Sequence, residues 1–117
     1  MLKELRDSDP MLMSFRDALT NPNIVGRTYS APTIKSYSWH ARNFVKYCHL
    51  HKTTPKKIST KGIKKYLHEI QKDVKTHDKS RGFFLQACTS LEIFYFTALK
   101  NPRKADAIPA IRQSLVA

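Results

Sequence analysis

Lys35, Trp39, Arg42 and Lys46 recur at intervals of four, three and four residues. On a helix turning about 100° per residue, that spacing puts three cations and an indole on one face. Such a column can neutralise phosphates. The neighbouring Ser36, His40 and Asn43 add hydrogen-bonding groups of the type that read base edges in a groove. The large apolar area of the tryptophan gains nothing from water, so it calls for a sugar-phosphate backbone or a covering loop. A second concentration is Lys79-Ser80-Arg81, at the expected start of a later helix. There, free N–H groups and the positive dipole end favour a phosphate. A third, formed by Lys61, Lys64, Lys65, His68 and Lys72, is mainly lysine without aromatic or amide company. It reads as a solvated face.

The signatures of catalysis are missing. The three glycines are scattered singly, so no phosphate loop exists, and there is no nucleophile elbow or His-Glu zinc motif. Cys48-His49-Leu50-His51 gathers ligand-type residues at a helix end, but a structural zinc site takes four ligands in two spaced pairs, and no second pair follows. His40, His68 and His77 sit among lysines and are expected to be solvated. None of the nine acids forms an inward pair suited to acid/base work. The chain is therefore expected not to be an enzyme by itself, and to hold neither metal nor cofactor.

The overall balance agrees with binding. Twenty-one Lys and Arg against nine Asp and Glu give a net charge of +12, a field that attracts polyanions. With 117 residues and 41% hydrophobic content, the chain suits one packed domain rather than disorder. MLKELRDSDP lacks the apolar run of a signal peptide, and no segment is long and apolar enough for a membrane span. Cys48 and Cys88, far apart and on apolar faces, are expected to be buried reduced thiols. The expected location is cytoplasmic and away from membranes.

The elements that must position these groups are helices. Ser8-Asp9-Pro10 opens the first, over about 9–20, with Met11, Leu12, Phe15, Ala18 and Leu19 apolar. Asn21-Pro22-Asn23 turns the chain, and Ile24 to Ser30 reads as a connecting loop. The main helix, about 32–52, buries Ile34, Tyr37, Ala41, Phe44, Val45 and Cys48 opposite its basic face. A third, about 59–73, has Ile63, Leu67, Ile70 and Val74 as its buried stripe, flanked by Tyr66. A fourth, about 79–99, with Asp78 as a cap, carries a wide apolar face that should touch all the others. Ile93 and Phe96 lie outside that face. Asn101-Pro102 ends it, and a short helix over about 105–115 must keep Pro109 in its first turn. The fold class is all-α, a compact bundle of four to five helices.

In order and spacing, these motifs resemble the N-terminal core-binding, SAM-like domain of tyrosine recombinases and phage integrases. Thr33-Ile34-Lys35-Ser36-Tyr37 matches the family's T-x-x-x-Y, followed by the aromatic end Asn43-Phe44-Val45-Lys46-Tyr47. Ile63-Lys64-Lys65-Tyr66-Leu67 matches I-x-x-Y-L. Leu85-Gln86-Ala87 through Phe94-Tyr95 matches L-x-A with aromatics, and Asn101-Pro102 matches the Asn-Pro exit. The leading helix, with Phe15-Arg16-Asp17, is most similar to Cre-type recombinases. The resemblance spans roughly residues 10 to 115. It implies half of a C-shaped clamp on double-stranded DNA. Lys35, Ser36, Trp39 and Arg42, with Lys46 on the same stripe, would face the major groove beside Lys79, Ser80 and Arg81. It also implies a separate C-terminal domain carrying the catalytic residues, and protomers that assemble as a tetramer on DNA. Glu92 and Thr89 stand where relatives often carry bases. Two other readings remain open at this point: a stand-alone RNA- or single-strand-binding helical protein, and a protein-interaction module.

Overall fold

The structure, a computed structural model, describes residues 10–76 and 81–116, with side chains for all of these except 73–76, 81 and 116. Among the described residues it is all-α, with six helices: α1 (Pro10–Leu19), α2 (Pro22–Val25), α3 (Ala31–Leu50), α4 (Thr60–Thr76), α5 (Arg81–Thr97) and α6 (Pro102–Val116). Helix α5 is the hub and packs on α1, α2, α3, α4 and α6. Its sequence is apolar nearly all round, as a helix surrounded by others requires. Phe84, Ala87, Cys88, Leu91, Phe94 and Tyr95 are buried along it. They meet Phe15 of α1, Phe44 of α3, Leu67 of α4 and Ile108 of α6 in one core.

Local chemistry sets the boundaries. Ser30 adopts an extended conformation, and its Oγ accepts the Thr33 N–H at 3.3 Å, capping α3 ahead of Pro32. Ser59 Oγ accepts the Gly62 N–H at 3.1 Å at the start of α4. The segment between these helices is tied down from two directions. The buried Tyr95 hydroxyl donates to the Pro55 carbonyl at 2.7 Å, and Lys104 Nζ donates to the Lys56 carbonyl at 2.7 Å.

Three expectations from the sequence need correction. The stretch after Asn21 is not all loop. Pro22–Val25 forms a single helical turn, capped by the Asn21 side chain at 3.0 Å and closed by Gly26 in the left-handed region, φ 76°. Asn101-Pro102 does not mark the end of α5, which stops at Thr97. It opens α6 instead, with Asn101 Oδ1 accepting the Lys104 N–H at 3.1 Å and proline in the first turn. Pro109 consequently lies inside α6 rather than in its first turn. Its ring sacrifices one intrahelical bond, and burial of Ala105, Ile108 and Ile111 against the core on either side holds the helix together. Ser8, Asp9 and Asp78, expected as helix-start residues, lie outside the described residues, as does the side chain of Val74.

Gly62 has a packing reason to be glycine. A Cβ there would stand 2.7 Å from Ile58 Cγ1 and 3.0 Å from Cδ1, because Ile58 lies across the first turn of α4. Ile58 is buried on the same core as Ile63, the arrangement of a hydrophobic staple. Gly62→Ala is therefore expected to destabilise the domain by about 1 kcal/mol, because about 1–3 kcal/mol of overpacking exceeds the propensity gain of about 1 kcal/mol. Urea denaturation reads the sign, and a more stable variant would contradict this packing.

Candidate nucleic-acid interface

Helix α3 divides as its sequence pattern requires. His40, Ala41, Phe44, Val45 and Cys48 are buried, while Lys35, Trp39 and Lys46 are exposed and Ser36 and Arg42 are half-buried. The indole of Trp39 keeps 46% of its surface exposed, an unusual fraction for this side chain. Its ring lies 5.7 Å from that of Phe83 and 5.1 Å from that of His40. Phe83 sits in the first turn of α5. The tryptophan thus joins the basic stripe of α3 to the first turn of α5. Lys79 and Ser80 lie outside the described residues. Arg81 is the first residue of α5, and its side chain is not described.

His40 departs from expectation. It is 2% exposed, not solvated, with its ring 4.9 Å from Phe83 in an edge arrangement. On the helical wheel it flanks the stripe, but the arrival of Phe83 from α5 covers it. It therefore serves as a wedge beneath Trp39. Asn43, expected to add a hydrogen-bonding group to the stripe, instead turns its amide to the Tyr66 hydroxyl at 3.0 Å. Tyr47 donates to Glu69 at 3.4 Å one turn later. Asn43 and Tyr47 thereby lace α3 to α4, and Lys46 and Leu50 stand at the rim of the shallow groove between them, about 270 Å³ in volume.

Arg27 lies over the Tyr29 ring at 5.1 Å, and Tyr29 contacts Tyr37 at 5.5 Å. This cation is drawn to the Tyr37 side of α3, and the structure does not add it to the stripe. The Cys48-His49-Leu50-His51 cluster is pulled apart. The Cys48 thiol is buried in the core, whereas His51 stacks on Tyr47 with ring centroids 4.1 Å apart. On α5, Glu92 is exposed and Thr89 half-buried, which puts a carboxylate on the outer surface beyond the first turns. No helix among the described residues is long and apolar enough to cross a membrane.

The surface therefore offers cations, one anchored indole and a nearby helix start, all held by a rigid aromatic underlay. Such a surface can bind a polyanion along its backbone. Searches of curated proteins and of solved structures returned no match. The family model described as phage integrase, N-terminal SAM-like domain, matches residues 11–105. That span takes in all of α2, α3, α4 and α5 and all but the first residue of α1. The chain belongs to the phage integrase N-terminal SAM-like domain family.

Proposed function

We propose that this domain clamps duplex DNA for a tyrosine-type site-specific recombinase or integrase. Cleavage and rejoining of strands fall to a separate C-terminal catalytic domain, and recombinase protomers assembled on the DNA are further partners. On this reading the domain works in the cytoplasm on the nucleoid and is not itself an enzyme. The observation that carries the proposal is the exposed Trp39 wedged against Phe83, which sets the α3 stripe beside the start of α5. Family membership and the charge of +12 agree with it.

In this role Lys35 and Lys46 pair with phosphates, and Arg42 adds a planar fork of donors that a phosphate can accept in pairs. Ser36 supplies a short hydrogen-bonding group, and Trp39 lays its apolar surface on sugar. Lys79, Ser80 and Arg81 extend the contact to the next phosphates.

The triple variant Lys35→Ala/Arg42→Ala/Lys46→Ala tests the assignment. Losing about three phosphate contacts should cut the slope of log affinity against log salt by about 3, and weaken binding of every duplex at low salt by at least about tenfold. Unchanged affinity in the triple variant, measured by fluorescence anisotropy, would remove the α3 face from the reading. Competition with single-stranded oligonucleotides provides the second arm, because preference for single strands would point to base stacking instead.

A further inference from the structure

Helix α4 carries a second basic column, of lysines and a histidine, that the α3 surface does not use. Lys61, Lys65, His68 and Lys72 follow one another at intervals of four, three and four residues, and all four are exposed. The two flanks of the column are occupied. Tyr66 and Glu69, on one side, bond to Asn43 and Tyr47 of α3. Gln71, on the other, donates to the Leu115 carbonyl of α6. The column therefore points outward between the two packing edges, on a different surface from the α3 stripe.

Its lysines outnumber the acids beside them: among the described side chains of α4 the one carboxylate is Glu69. Neighbouring cations three and four apart on a helix repel, and a solvated face normally alternates them with acids. Among the described residues, no carboxylate pairs with Lys61, Lys65, His68 or Lys72, and Glu69 is engaged by Tyr47. The first turn of α4 contains no acid either, so the lysines add to the positive end of the dipole instead of neutralising it. Beside that end lies an open depression of about 650 Å³, lined by Lys61, Lys64, Lys65 and His68 together with Ser59 and Leu115.

The chemistry of the column narrows its partner. Among the described residues the exposed large apolar side chains are Met13, Ile24, Trp39, Leu50 and Phe96, and none of these lies on α4. A membrane-surface helix needs such residues to insert, and single strands need aromatic rings to stack on. A row of flexible point charges contacts phosphates without reading bases. We propose that the α4 column is a second backbone-binding surface, which holds another duplex DNA segment while the α3 face holds the first. This rests on the DNA-binding role proposed for α3.

A capture experiment with the full chain separates the two surfaces. An immobilised duplex is saturated with protein, washed, and offered a labelled second duplex of equal length. The wild type should retain the label. Lys61→Ala/Lys65→Ala/Lys72→Ala should retain it at least about tenfold less, while keeping its affinity for the first duplex within about threefold. Circular dichroism would verify that the variant folds, and Lys61→Gln/Lys65→Gln/Lys72→Gln serves as a second route to the same loss of charge. Two results overturn the proposal: no capture by the wild type, or equal capture by the α4 variants, as expected if paired α3 faces did the bridging. A failure of the α3 reading is seen separately, as undiminished binding of the first duplex by the Lys35→Ala/Arg42→Ala/Lys46→Ala variant.

Discussion

Replacing Phe94 with alanine is expected to remove about 3–5 kcal/mol of stability, out of a total of about 5–15 kcal/mol typical of a domain this size. Phe94 is fully buried in α5, the helix on which the others converge. Its ring meets Phe15 of α1 edge-on at 5.2 Å and lies 6.1 Å from that of Tyr95. Truncation removes the ring's transfer free energy and leaves a cavity that Phe15 and Leu91 cannot close without moving two helices. Phe94→Leu, which keeps most of the volume, should cost less than half as much. Urea denaturation of the three proteins measures the ranking. A loss below about 1 kcal/mol for the alanine variant would mean that the core is not organised around this residue.

Alkaline pH should be nearly as damaging, because four buried acids must stay protonated in the fold. Burial pushes the Cys48 thiol from 9.0 up to about 12, against a small opposing pull from Lys104. Burial also pushes Cys88 from 9.0 to about 11, opposed by Arg112 and reinforced by Glu92. The Tyr66 and Tyr95 hydroxyls are raised well above 10.0, again chiefly by burial, and the bond from Asn43 offsets part of the effect at Tyr66. The unfolded chain releases these protons at the ordinary values while the folded chain holds them, so ionisation favours unfolding. The stabilisation from the two thiols is complete below pH 9.0 and is lost as pH rises through about 11 and 12, whereas that from the two tyrosines is complete below 10.0 and persists to higher pH. The melting temperature should therefore hold level up to pH 9.0 and then fall steadily. Cys48→Ala/Cys88→Ala should delay the onset towards the ordinary tyrosine value of 10.0. A melting temperature unchanged between pH 8 and pH 11, values set on the scale of ordinary thiol and phenol titration, would contradict this account.

The long helices were legible because each announces itself twice, once by period and once by punctuation. Ser30 with Pro32 starts α3, and the wheel separates Phe44 and Cys48 from Lys35 and Lys46. Family motifs such as Ile63-Lys64-Lys65-Tyr66-Leu67 were legible for the same reason, since three of those five residues are core contacts. What escaped depends on partners far along the chain. No wheel of α3 could bury His40, because the covering ring belongs to Phe83 of α5. Asn43 looked free until Tyr66 arrived from α4. Four-residue α2 is shorter than any window in which periodicity can be recognised, and only its Asn21 cap and Gly26 exit mark it. Pro109 misled because local propensity forbids what burial of Ile108 and Ile111 maintains.

The site was legible in part. The stripe on α3 followed from spacing, whereas its place beside the start of α5 was implied by the family resemblance alone, since it is made by the Trp39–Phe83 contact between helices distant in sequence. The lysines of α4 looked like an ordinary solvated face. Only the edges taken up by Tyr66, Glu69 and Gln71 show how completely the column is turned away from the rest of the molecule.

One bond has a mechanical consequence. The Ser90 hydroxyl, buried on α5, donates to the main-chain carbonyl of Tyr37 on α3 at 2.7 Å. A contact between side chains tolerates sliding, because rotamers follow the movement. A contact with a carbonyl is registered to one residue, and a shift of a single turn would leave the serine facing a different part of the helix. With Phe83 seated against Trp39, α3 is held to α5 by two contacts that a slide along its axis would break. Force applied at Lys35 or Arg42 therefore reaches α5 through these contacts, and through α5 the other helices of the bundle.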